Sequence, residues 1–387
     1  MKQSKDMIKK YTNFIFFSAG PVGDHVVLLD VAQHFYEATG VHSTVIEKHP
    51  NPFLRDLTKP YKDILSTIEV VKKSGYLRFL CLLVTSIWKK NCYVLYFPIP
   101  LPAYMKFFVY YIRFCTRSRV IGFNLEGSRS FPVGKGYASI LGMSNCITML
   151  PEMFYKSSNR LLLFLGYKPL LERVPVLRYV PNDSLFVRNI VTPQTYIAFH
   201  ICASTSFRTL PVDRWNKIIS TILERSPDIS IVLTGSVDDL LFRKDCTKNV
   251  DRKRIIITYG GVESKEGVTE NKEGYKRLVH ISNQELLSLY ANAKLCVSVQ
   301  TGNSLIINML HVPTVMINIK GTAMFYYHFN KNLRANMYST IGCTCDPFET
   351  LCTHVHDKGV PHAACLFNIK DEDIVETILK NIHEEKY

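Results

Sequence analysis

The chain has 387 residues, 47% of them apolar, a size and composition that suit two ordinary domains with a core each and that exclude a disordered chain. Its formal net charge is +14, and the excess lies in the first half: 24 Lys and Arg stand against 12 Asp and Glu up to Leu185, and 23 against 21 beyond it. That asymmetry suits a polyanionic or membrane-surface partner for the first half. No nucleic-acid motif accompanies it, so nucleic acid is set aside, and no run of about 18 uncharged apolar residues is present to span a membrane.

In chain order, the basic start MKQSKDMIKKY is followed by an apolar run that is short and lacks a small-residue cleavage site. It reads as the first strand, not as a leader, and the expectation is a cytoplasmic protein. The strand is NFIFFSA, Asn13 to Ala19, rich in aromatic residues as a strand buried on both faces would be. Gly20, Pro21 and Gly23 then favour a tight turn, and Val27, Leu28, Val31 and Phe35 recur at helical spacing. Asp24 therefore sits near a helix N-terminus, where a carboxylate is either a helix cap or, at the carboxyl end of a parallel strand, a general base facing a cleft. The turn reads GxxG and not GxGxxG, which gives a nicotinamide or flavin dinucleotide little support.

The stretches VHSTVIEK, STIEVVK, NCYVLYFPIP and RVIGFN read as further strands separated by helical patterns, the rhythm of a doubly wound parallel sheet. Two apolar stretches with basic flanks, beginning at Tyr76 and Tyr104, are either helices packed on that sheet or helices that touch an anionic bilayer. PNDSLFVRNIVTPQ after Val180 has turn residues and no period, which marks a linker. The rhythm restarts with the strands YIAFHIC, DISIVLTGS, RIIITYG, KLCVSVQT and PTVMINI, with helices between them from Val212, Asn283 and Asn303. The stretch from Val262 to Arg277 is charged and reads as an exposed loop.

Two strand-to-helix turns in the second half suit an anion. After YIAFHIC come small and hydroxyl residues, then Arg208 and Pro211 at a helix start. Backbone amides with Ser204, Thr205 and Ser206 can surround a phosphate there, and Arg208 can pair with it in forked geometry. Later, Gln300, Thr301, Gly302 and Asn303 form a second such turn. Two anion turns in one domain and an acid in the other suggest a diphosphate held across from a base.

Four separated stretches carry a resemblance: GPVGDHVVLLD; FHICASTSFRTLPVDRW with IVLTGSVDD; LLSLYANAKLCVSVQTGNSLIINMLHVPTVMI; and a Cys-rich tail. In order and spacing the chain resembles glycosyltransferase family 9, the lipopolysaccharide heptosyltransferases. The resemblance implies an α/β protein with the GT-B fold, two facing Rossmann-like domains with parallel sheets. Residues 1–182 would bind the acceptor and residues 183–387 the nucleotide-sugar, the latter ending in the Cys-rich tail and a final helix from Cys365. It implies inverting transfer of a heptose or related sugar from a nucleotide-sugar, ADP-heptose among the candidates, to an anionic lipid-linked saccharide of lipopolysaccharide type. Such a protein is cytoplasmic and peripheral at the inner face of a membrane.

The family's base falls on Asp24, beside Gly23, and its leaving-group cation on Arg208. Cys202, Ala203, Ser204 and Thr205 fall in the phosphate loop, Asp238 or Asp239 near the nucleoside, and Thr301 and Gly302 at the donor turn flanked by Gln300 and Asn303. The chain departs from the family at Gln300, where Asp is usual, and at Leu305, where His is usual. Both are donor-side positions, which bears on which sugar nucleotide is used and opens an alternative: a catalytically silent sugar-nucleotide or glycan-binding protein.

Cys343, Cys345, Cys352 and Cys365, with His354, His356 and His362, bring a zinc site to mind, but the spacing is not a zinc pattern and reduced structural thiols are the reading taken. The chain's Asp-x-Asp pair, Asp371 and Asp373, opens a helix, where cap and dipole roles account for it. Metal-independent catalysis with no resident cofactor is therefore expected. His25 and His200 are read as structural histidines.

Overall fold

The computed structural model describes residues 13–18, 22–47, 52–69, 73–95, 103–125, 146–149, 157–168, 174–187, 189–203, 208–260, 277–320, 329–341 and 363–383. The chain divides into two compact units, Met1–Arg178 and Tyr179–Tyr387, four residues before the boundary that the sequence suggests.

The first unit runs β1 (Asn13–Ser18), α1 (Val22–Thr39), β2 (Ser43–Glu47), α2 (Pro52–Thr58), β3 (Leu65–Glu69), α3 (Lys73–Thr85), β4 (Asn91–Leu95), α4 (Ala103–Cys115), β5 (Arg119–Leu125), β6 (Cys146–Met149) and α5 (Ser157–Phe164). Its six strands form one sheet in the order β3-β2-β1-β4-β5-β6, with every pairing parallel. The strand order reverses between β1 and β4, so the carboxyl end of β1 is a topological switch point. β1 is aromatic because both of its faces are covered. Phe14 and Phe16 meet Phe35 of α1 on one side, and Phe17 meets Phe79 of α3 and Phe108 of α4 on the other. Each such side chain, fully buried, contributes roughly 1.5–3 kcal/mol. At the amino end of β4, Asn91 donates to Ser86 at 2.8 Å and Asn13 donates to Asn91 at 3.0 Å, a satisfied polar pin far from the switch point.

The second unit runs α6 (Ser184–Val187), β7 (Tyr196–His200), α7 (Val212–Arg225), β8 (Ser230–Leu233), α8 (Leu240–Asp245), β9 (Ile255–Tyr259), β10 (Arg277–His280), α9 (Asn283–Ala291), β11 (Leu295–Val299), α10 (Gly302–Met309), β12 (Thr314–Ile317), β13 (Leu333–Met337), α11 (Ala364–Phe367) and α12 (Asp371–His383). Its seven strands are again parallel, in the order β10-β9-β8-β7-β11-β12-β13, and reverse between β7 and β11. Every residue of β7, β9 and β11 is buried, as continuous apolar runs between two helix layers must be. Helix α7 turns Trp215, Ile218, Ile219, Ile222 and Leu223 inward. Its outer face is tied to α12 by ion pairs, Arg214 to Asp371 at 2.6 Å and Lys217 to Glu372 at 2.7 Å, with Arg225 paired to Glu376.

Three strands were missed in the sequence, β6, β10 and β13, and all three lie at sheet edges. An edge strand has one ladder of backbone groups unpaired and less cover, so it need not carry an apolar run: β13 reads LRANM. The final helix expected from Cys365 is two helices, α11 and α12, broken at Asn368–Lys370. There Arg214 takes the Phe367 carbonyl at 2.7 Å and that of Ile369, so the break supplies acceptors to α7. The tail residues Cys343, Cys345, Cys352, His354, His356 and His362, and nearly all of the expected loop from Val262, lie outside the described residues. Among the described residues no helix is long and apolar enough to cross a membrane.

Candidate functional site

In the first unit the β1–α1 turn ends in a helix that begins at Val22, two residues before Asp24. Asp24 is therefore the third residue of the first turn and not the residue that precedes the helix, next to the buried Gly23. A carboxylate in that turn is favoured by the helix dipole. His25 is fully buried, with Nε2 3.4 Å from Glu47 Oε1 at the end of β2. Burial lowers its pKa to about 4, so it belongs to the core as a neutral imidazole.

In the second unit the sequence-predicted residues gather along one sheet edge, because parallel strands present their carboxyl ends together. His200 of β7 is in register with Ser298 of β11, and Phe199 with Leu233 of β8. Ile201–Ala203, Gln300–Asn303 and Gly235–Asp239 therefore leave three adjacent strands side by side. Ser204 and Thr205, with Ser206, lie outside the described residues. On either side of them the described chain is tied together: Thr209 donates to the Ile201 carbonyl at 2.5 Å and accepts from Trp215 Nε1 at 3.1 Å. This closure brings Arg208, half-buried, back beside the end of β7.

The side chains of these turns divide by task. Cys202 is buried in the apolar core, which pushes its thiol up to about 12, so only its backbone is left for a ligand. Thr301 forms a capping box, its hydroxyl accepting from Ser304 N at 3.2 Å while its own N–H donates to Ser304 Oγ at 3.0 Å. The hydroxyl oxygen thus serves the helix as an acceptor. Gly302 and Asn303, the first two residues of α10, have amides with no intrahelical acceptor by their position. Gln300 is buried at the strand end, and Leu305 is buried in α10. Asp239 is turned into its own loop, accepting from Ser236 Oγ at 2.7 Å, whereas Asp238 is exposed.

Beneath the edge lies a polar network. His200 Nδ1 is 3.1 Å from Thr234 Oγ1 and 3.2 Å from Tyr290 Oη, and Asn303 Nδ2 is 3.3 Å from His200 Nε2. An amide NH2 only donates, so Nε2 accepts and the ring proton sits on Nδ1. Thr234 spends its own proton on the Phe199 carbonyl at 3.1 Å, which leaves its oxygen to receive. Burial of His200, with Arg243 nearby, lowers its pKa to about 4 and keeps the ring neutral. The ring fixes the Asn303 amide, whose Oδ1 is buried and has no hydrogen-bond partner among the described residues.

Arg243 escaped the sequence reading. It is fully buried on α8, donating to the Leu233 carbonyl at 3.3 Å and to the carbonyls of Thr258 and Ser236. A Cβ on Gly235 would stand 3.0 Å from its Cζ and Nε, so glycine is what admits the guanidinium under the loop. The one available signal was Gly235 ahead of an Arg on the next helix, and a pair so common carries no weight without coordinates.

No protein-family model matches the sequence, and no curated protein matches it. Its likeness to solved structures spans nearly the whole chain. The E. coli ADP-heptose lipopolysaccharide heptosyltransferase II superposes with a TM-score of 0.61 at 11% identity, covering 96% of this chain and 98% of that one. A glycosyltransferase of family 9 from Veillonella parvula superposes at 0.60 with 12% identity, covering 97% and 98%. The chain has a heptosyltransferase-like GT-B fold. The GT-B likeness also extends, at a TM-score of 0.52 and 9% identity, to a Listeria monocytogenes protein described as a UDP-N-acetylglucosamine 2-epimerase, covering 97% of this chain and 88% of that one. At such identities the GT-B match establishes architecture, and the chemistry must be argued from the site.

Proposed function

We propose that this chain is an inverting glycosyltransferase that moves a sugar, a heptose or a relative of one, from a nucleotide-sugar to a lipid-linked saccharide of lipopolysaccharide type. The second unit takes the donor and the first takes the acceptor. The observation that carries the reading is the meeting of the start of α10 with the His200–Asn303 pair at the carboxyl ends of β7 and β11, with Arg208 next to Thr209, which is tied back to the end of β7. That edge suits a nucleoside diphosphate in three ways: amides at a helix start for phosphate, a cation for the leaving charge, and a fixed carbonyl oxygen for a hydroxyl or amino donor. Both of the first two structures that superpose on this chain are named as transferases, and the first is named for ADP-heptose, which makes an ADP-sugar the first donor to try.

In this reading the Asp24 carboxylate takes the proton of the acceptor hydroxyl. The oxygen attacks the anomeric carbon from the face opposite the diphosphate, the bond from that carbon to the phosphate oxygen breaks, and the configuration inverts. Arg208 and the amides of α10 stabilise the charge that grows on the departing diphosphate. The step needs no metal, since Asp24 and Arg208 supply base and counter-charge. The chain's Asp-x-Asp pair has another task, Asp371 being held by Arg214.

A second reading, a silent sugar-nucleotide or glycan-binding protein on this fold, is favoured by the burial of Gln300 and Leu305 where the family it resembles carries Asp and His. The test is thermal stabilisation of the purified protein against a panel of nucleoside diphosphates and sugar nucleotides, followed by transfer assays on each hit. A ligand at about a hundred times its Kd stabilises by roughly 2.7 kcal/mol, a readable shift. A selective shift with turnover supports transfer and names the donor; a shift with no turnover for any acceptor supports the silent protein. No shift with any member overturns the transfer reading and moves weight to a silent protein that binds a glycan.

A further inference from the structure

Helices α3 and α4 lie side by side on the sheet of the first unit, Phe79 against Phe108 at 6.1 Å and Tyr111 Oη donating to the Leu83 carbonyl at 3.4 Å. Their inward residues, among them Leu82, Leu83, Phe108 and Ile112, make up a core with Ile15 and Phe17 of β1. Much of their outward surface is apolar as well. Tyr76, Leu77, Leu80 and Val84 form the outer stripe of α3, and Trp88, 67% exposed, stands in the turn that follows it. Phe107, Tyr110 and Phe114 form the outer stripe of α4 at a spacing of three and four, with Phe107 74% and Phe114 71% exposed. Soluble monomers seldom leave so much contiguous aromatic surface in water.

The charge along this stretch of the chain has one sign. Between residues 70 and 125 the chain has nine Lys and Arg and not one Asp or Glu. Arg78, Lys89, Lys90, Arg113 and Arg117 are exposed there, and Arg113 lies over the Phe114 ring at 5.4 Å. Aromatic rings edged by long cationic side chains are the composition of a surface that enters the headgroup layer of an anionic bilayer, rings inward and cations at the phosphates. A second copy of this face would bring the same positive charge and be repelled.

We propose that the outer face of α3 and α4, with the turn at Trp88–Lys90, docks the first unit on an anionic lipid bilayer. The proposal deepens the reading above, in which the acceptor is lipid-linked, but rests on this face alone and is tested without donor or acceptor. The chain has two tryptophans, Trp88 on this face and Trp215 fully buried in the second unit, so a change in emission on docking reports Trp88.

The experiment is flotation and tryptophan emission of the full chain with vesicles of phosphatidylcholine alone or with a third of phosphatidylglycerol. The expected result is flotation with the anionic vesicles only, a blue shift of Trp88, and its quenching by brominated acyl chains. Lys89→Glu with Lys90→Glu, and separately Phe107→Ser with Phe114→Ser, are each expected to weaken partitioning by about tenfold or more while leaving the melting temperature in place. No flotation with unshifted emission overturns the proposal. So does self-association that these substitutions relieve, which would give the face to a second copy. A sugar-nucleotide thermal shift that persists where flotation fails removes the bilayer surface and spares the transfer reading; flotation without any such shift does the reverse.

Discussion

The two units follow one plan, the second with one strand more, and differ in how their helices are finished. Both sheets are parallel and reverse beside their first strand. In the second unit the outer face of α7 is covered by α12 and its charges are paired, Arg214 with Asp371 and Lys217 with Glu372. In the first, α3, the turn that follows it and α4 leave Leu77, Trp88, Phe107 and Phe114 exposed to solvent. The same frame is thus closed over on one side of the chain and left bare on the other. Architecture came with the strand order, but what each unit can bind depends on residues that the strand order does not specify.

That division can be broken most sharply at the acid of the first unit. Asp24→Asn is expected to lower turnover by at least about a thousandfold, within the range for a lost general base, while donor-induced thermal stabilisation is kept; full turnover in the variant would remove Asp24 as the base. In the second unit Arg208→Ala is expected to cost about a hundredfold or more in kcat, the scale of one lost charge-stabilising donor, and an unchanged kcat would take Arg208 out of the reaction. Asn303→Leu removes the carbonyl oxygen held by His200 and is expected to raise the donor KM by about tenfold, one charge-free hydrogen bond's worth, with little change in the acceptor KM.

Stability offers smaller effects, all within the second unit. Arg243→Leu strips the donor from the Leu233, Thr258 and Ser236 carbonyls and is expected to cost about 3 kcal/mol in denaturant unfolding. His200, with a folded pKa near 4 against 6.5 when free, stays neutral in the folded state while the unfolded chain takes up a proton. Its contribution is complete above pH 6.5 and lost as the pH falls towards 4, a change of roughly 3 kcal/mol from this one group. A melting curve for the isolated histidine's effect is read by comparing His200→Gln with the parent across that window, where the variant should lose less stability on acidification. Lys217→Ala, at an exposed ion pair, is expected to leave the melting temperature within error, since water screens such a pair.

Much of the frame was legible beforehand because a strand buried on both faces must be apolar throughout. NFIFFS, YIAFH, IIITY and LCVSV could hardly be anything else, and the small residues after them marked the turns. The strands β6, β10 and β13 were not legible: each is four or five residues long and paired on one side only, and β13 reads LRANM. Among the site residues, the sequence marked Thr301 by its place in a turn, and the family resemblance offered Asp239, or its neighbour Asp238, as a nucleoside contact. Both side chains also satisfy their own loops, Thr301 as a helix cap and Asp239 on Ser236, and a residue type cannot say which of two hydrogen-bonding tasks it has taken up.

By itself, then, the sequence determined two α/β units, their parallel strands, the turns at which a ligand would meet the chain, and an uneven charge. Those follow from local propensity and from burial along one segment, which neighbouring residues report. Only the tertiary structure decided that His200, Thr234, Tyr290 and Asn303 form one neutral network, that Arg243 lies under Gly235, and that the second face of α3 and α4 is bare. Each of these joins residues far apart in the chain or depends on which side of a helix is left uncovered, and periodicity along one segment carries no record of what packs against it.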